Sequence, residues 1–167
     1  MKAILSVILL IVMTNISSAV PDTLKKKNEV DLVSITLEVE DETWLFILLA
    51  RDGTINRMGD GANSPEKESV YIGLTTEKLF EKFMANIDEA MLSHPGAYDH
   101  NEKEGKNCSV KIIFSDQKEE KQAGFYFGYG SDSAGPPQPI PSLILNAIEI
   151  TDPWHLEQKN KSENKAG

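Results

Sequence analysis

The sequence predicts an α+β domain: a mainly antiparallel sheet of about four to six strands, with two amphipathic helices packed on one face as a second layer. Three observations carry this. Trp44–Ala50 (WLFILLA) is the longest run without a polar residue after residue 19. Its aromatic and branched side chains suit a central strand covered on both faces. Short polar links at 40–42, 52–53 and 116–121 separate apolar segments, and links that short require antiparallel neighbours. Two further stretches place apolar residues at helical spacing, Leu79 to Met91 and Leu143 to Ile148. Alternating βαβ units, which a doubly wound nucleotide-binding fold requires, are absent from the pattern.

Residues 1–19 read as an export signal. Lys2 is a short basic start, Ala3–Met13 an apolar core, and Ser17 and Ala19 the small residues before a cut at Ala19–Val20. The apolar core is shorter than the roughly 20 residues of a membrane-spanning helix. A secreted or periplasmic location is therefore expected, with no membrane span after cleavage. Residues 20–29, with Lys25, Lys26 and Lys27, should be a flexible leader, and 30–155 a single domain.

Within the domain, Val33, Ile35, Leu37 and Val39 alternate with Ser34, Thr36 and Glu38, which makes a half-buried strand. It forms a hairpin with WLFILLA across Glu40-Asp41-Glu42. Asp52-Gly53 then reverses the chain into a short strand around Thr54–Met58. Residues 59–69 read as loop and Val70–Gly73 as a further edge strand. Thr75 or Thr76 can cap the first helix, whose stripe is Leu79, Phe80, Phe83, Met84, Ile87, Ala90 and Met91. Pro95-Gly96 stops it, and 97–107 reads as a charged loop. A second hairpin joins Cys108–Ser115 to Ala123–Tyr129. The second helix runs from about Pro141 to Thr151 and ends at Asp152-Pro153. Residues 156–167 make a polar tail expected to be disordered.

The charge balance is 17 basic against 26 acidic residues, formally −9, and loss of Lys2 with the signal makes it −10. That argues against a nucleic-acid surface, which needs a basic face. A basic protein would complement it. The single cysteine, Cys108, forms no internal disulfide, and its phase with Val110, Ile112 and Phe114 places it as core filler.

Two constellations are candidates for chemistry. His94, Asp99 and His100 offer two imidazoles and a carboxylate around Pro95-Gly96, a set able to hold a transition metal, although the spacing matches no established site. The stretch 125–137, FYFGYGSDSAGPP, combines aromatic residues, bare glycine positions and a stiff loop before a helix start. Tyr126, Tyr129, Ser131, Asp132 and Ser133 are its candidate binding residues. No cofactor is called for. The function expected is that of an exported, non-catalytic binding protein of inhibitor or immunity type. The rival is a periplasmic hydrolase or metal-dependent enzyme using the loop of His94, Asp99 and His100.

Overall fold

The computed structural model describes residues 24, 26–62, 70–76, 78–92, 94–98, 108–116, 121–127 and 140–166. Their fold is α+β. Seven strands form one sheet: β1 (Leu32–Val39), β2 (Glu42–Ala50), β3 (Thr54–Met58), β4 (Tyr71–Leu74), β5 (Gly96–Tyr98), β6 (Cys108–Asp116) and β7 (Lys121–Phe127). They lie in the order β4-β3-β2-β1-β6-β7-β5. Every pairing is antiparallel except β5 with β7. The sheet thus exceeds the four to six strands expected. The added strand is β5, only three residues long, which joins β7 in parallel where polar composition suggests loop.

Trp44–Ala50 lies in β2 with a partner on each side, as its flanking turns imply, but the middle place belongs to β1. The link between the two strands is a two-residue turn in which Glu40 (φ 52°) and Asp41 (φ 64°) both adopt left-handed backbone. That is the primed turn whose twist matches a hairpin, here built without the usual glycine. Leu37 pairs with Leu45 and Glu38 with Thr43, so Trp44 is the extra residue of a bulge. The chain after β3 closes on that bulge: Gly61 N–H donates to the Trp44 carbonyl at 3.3 Å. Gly59 (φ +68°) leaves no room for a Cβ against the same carbonyl.

The core face of the sheet follows the alternation: Val33, Ile35, Leu45, Ile47, Leu49, Ile55, Ile112, Phe114, Ala123 and Phe125 are buried. Arg51 ties the start of the domain to this core. Its guanidinium meets the Asp31 carboxylate at 3.0 Å, donates to the Val30 carbonyl at 2.6 Å and lies 5.0 Å from the centre of the Phe80 ring. Leu24 and Val30 are buried and Lys27–Glu29 form a 3-10 turn, so part of the stretch expected to be a loose leader is packed.

Three helices accompany the sheet: α1 (Lys78–Ala85), the four-residue α2 (Glu89–Leu92), and α3 (Ile140–Ala166). The stripe from Leu79 to Met91 is therefore split. Asn86 is the cause: its side-chain Nδ2–H donates to the Lys82 carbonyl at 3.2 Å and to Asn146 Oδ1 at 3.3 Å, while its backbone N–H turns to Phe83. An asparagine that offers the backbone such a local alternative ends a helix readily.

α3 departs most from expectation. It does not end at Asp152-Pro153 but takes in Pro153 and runs to Ala166 through the stretch expected to be a disordered tail. At about 1.5 Å per residue it is about 40 Å long. Proline removes one intrahelical bond and disfavours the turn before it. Contacts on either side of Pro153 hold the helix on the sheet. Arg57, fully buried in β3, donates to Thr151 Oγ1 and Asp152 Oδ1, both at 3.2 Å, and to the carbonyls of Met58 and Gly59. Thr151 Oγ1 can accept from Arg57 because its own proton goes back to the Ala147 carbonyl at 2.7 Å. Beyond the proline, Trp154 covers Gly73, where a Cβ would come within 2.8 Å of its ring. His155 meets the Tyr71 ring edge-on at 5.4 Å, and Ser162 Oγ reaches Tyr71 Oη at 3.2 Å.

Candidate functional site

β2 is apolar in both phases, and that fixes where to look. In a half-buried strand only one phase needs to be apolar; a run apolar in both suits a strand covered on both faces. Here Leu45, Ile47 and Leu49 are buried, whereas Phe46 and Leu48 of the opposite phase are only half-buried.

The strand register extends that opposite face. Phe46 stands beside Met58, Leu48 beside Asn56, Asn56 beside Ile72, and Thr54 beside Leu74. Exposure rises toward the sheet edge: Ile72 is 73% and Leu74 77% exposed, and Val70, just before β4, is 50% exposed. None of these positions is charged, in a chain where 26% of residues are. A contiguous exposed apolar patch is unusual on a folded chain, whereas single exposed apolar residues are ordinary.

Asn56 is the polar exception near the middle. Its Oδ1 is buried and has no hydrogen-bond partner among the described residues. A buried acceptor left without a donor costs about 1–3 kcal/mol. Among the described residues no strand pairs with the outer side of β4. Thr75 N–H donates to the Gly53 carbonyl, so Tyr71 and Gly73 direct their peptide groups at β3. Val70, Ile72 and Leu74 direct theirs away from the sheet. Edge strands are commonly shielded by lysine, proline or a bulge, and residues 70–76 (VYIGLTT) carry no charge and no proline.

The residues singled out from the sequence fare differently. His94 is exposed. Asp99 and His100, the other two members of the metal set, lie outside the described residues. Among the described residues no group of three or more His, Cys, Asp or Glu side chains could hold a metal ion. Tyr126 has its backbone in β7, opposite Lys111 and Ala97. Tyr129, Ser131, Asp132 and Ser133 lie outside the described residues. Cys108 is half-buried at the start of β6, and burial raises the pKa of its thiol. Asp52 moves the other way: the Thr54 backbone N–H at 2.9 Å holds its pKa below the usual value. No described helix is long and apolar enough to cross a membrane.

No family model matches the chain, and neither a curated protein nor a solved structure does. The site must be read from its own chemistry. What the sequence reading passed over was the exposed apolar side of β4. The signal was present in seven consecutive uncharged residues, three of them branched and apolar in alternate positions, beside a strand apolar in both phases.

Proposed function

We propose that this chain is an exported, non-catalytic binding protein whose contact surface is the face and edge of β2, β3 and β4. The carrying observation is the exposure of Ile72 and Leu74 at the sheet edge, continuous with half-buried Leu48 and Phe46. Supporting it, the peptide groups of Val70, Ile72 and Leu74 point outward. A partner lying here would cover apolar area and could add a strand. The two-layer arrangement belongs to the same reading. With α1 and α3 on the core face, as the Phe80–Arg51, Thr151–Arg57 and Trp154–Gly73 contacts favour, the opposite face is left to a partner.

The test is site-specific crosslinking in the native compartment. A photoreactive residue at position 72 should give a discrete protein adduct, while one at exposed Lys111 on the far strand β6 should not. Replacing Ile72 and Leu74 with lysine should abolish partner capture and leave the melting temperature within about 2 °C, since both side chains are mostly exposed. Unchanged capture by that variant would rule out this surface.

A further inference from the structure

We propose that the partner enters as a strand: an extended peptide segment, apolar at alternate positions and without acidic residues, adds to the sheet along the outer edge of β4. The proposal rests on the reading of the β2–β4 face as a binding surface and states the chemistry of its partner.

The two ends of the described sheet differ, and the difference points to a strand. Sheets blunt their edges with short strands, proline, charge or a bulge, because an open edge accepts another strand. β5, at one end, is three residues long and follows Pro95 directly. β4, at the other end, has none of these guards in its stretch 70–76, and it pairs with β3 in unbroken register from Arg57–Tyr71 to Thr54–Leu74. The Thr75 N–H to Gly53 carbonyl bond at 2.8 Å sets the phase of that ladder. Tyr71 and Gly73 therefore bond inward, while Val70, Ile72 and Leu74 each turn an N–H and a carbonyl away from β3. All three are well exposed. The complement to such an alternating row of donors and acceptors is another extended backbone. A helix could cover the apolar face, but its own peptide groups are bonded within it and cannot pair with the edge.

The side chains of the added strand are specified by what they land beside. Opposite Ile72 they extend the outer row in which Leu48, Asn56 and Ile72 are neighbours, and opposite Leu74 the row that holds Thr54. Branched apolar residues pair well with such neighbours across strands. The formal charge of −9 disfavours acidic residues in the segment.

Random heptapeptides displayed on phage and panned on the mature full-length chain test this. Enriched sequences should carry apolar residues at alternate positions. With one of them made synthetically, amide exchange at Ile72 and Leu74 should slow on binding. N-methylation of the peptide at residues that donate to β4 should weaken binding at least about tenfold, and at their neighbours should not. Ile72→Pro removes an outward donor without breaking a bond to β3, and should weaken binding by a similar factor with an unchanged circular dichroism spectrum. Should that variant misfold, the N-methylated peptides on the wild type decide alone. No enriched peptide, or binding indifferent to N-methylation, overturns the proposal, as does an edge that pairs only with a second copy of the chain. If folded Ile72→Pro keeps the crosslinked partner that the double lysine variant loses, strand addition is excluded and the binding surface stands. If neither variant loses it, both readings fall.

Discussion

Arg57 is the residue on which the β3 end of the sheet turns. It is fully buried, while its carboxylate partner Asp152 is 48% exposed, so the two ends of the ion pair are unequal. Arg57→Ala leaves the Gly59 carbonyl and Thr151 without their donor and opens a cavity, and a loss of about 3–5 kcal/mol is expected. Asp152→Ala should cost less, about 1 kcal/mol, because water can reach that position and the guanidinium keeps its carbonyl acceptors. Chemical denaturation of the two variants checks the ordering; equal losses would show that the ion pair, not the carbonyl contacts, holds Arg57. The turn at Glu40-Asp41 offers the opposite sign. Left-handed backbone costs an L-residue other than glycine about 1–2 kcal/mol. Glu40→Asn combined with Asp41→Gly should therefore raise stability by about 1–2 kcal/mol, measured as an increased denaturation midpoint at unchanged slope. Cys108 gives a chemical readout. Its raised pKa keeps the thiol protonated, so alkylation at mildly alkaline pH should be slower in the folded chain than in the denatured one.

At the level of elements, the test of core packing is α1. Phe83 is fully buried and Ile87, just beyond the helix, nearly so. Phe83→Ala should cost about 3–5 kcal/mol, and a loss under about 1 kcal/mol would mean that the helix face is misassigned. That helix, both hairpins and β3 and β4 were legible in the sequence, because each rests on a periodicity or a turn residue that acts locally. The parts that were not legible depend on distant partners. β5 is three residues whose extended form is held by pairing with Phe125, Tyr126 and Phe127, some thirty positions on. The last turns of α3 carry polar residues and a proline, and on local propensity they should not be helical. They are held by Arg57, Gly73 and Tyr71, brought there by two strands that lie about 80 to 95 residues earlier. The proposed binding surface was half legible. WLFILLA announced a strand wanting cover on both sides, but only the register shows that Asn56, Ile72 and Leu74 continue its uncovered side.

For the whole molecule, the question is how the folded domain lies in sequence relative to the proposed export signal. Leu24 has no exposed surface and belongs to the core cluster with Val30 and Phe80, so the domain's packing includes it. A cut at Ala19–Val20 falls just upstream and leaves that core residue on the mature chain. The same cut removes Lys2 and the apolar segment, leaving 148 of 167 residues. Intact mass of the exported protein should therefore show Val20 as the first residue. A shorter form beginning at Lys25 should lose about 2–4 kcal/mol, comparable with deleting one buried leucine side chain. Its denaturation midpoint, measured beside that of the form beginning at Val20, decides the point. If the two forms were equally stable, Leu24 would not belong to the working core; an exported protein that retained Met1 would show that the first nineteen residues are not a cleaved signal.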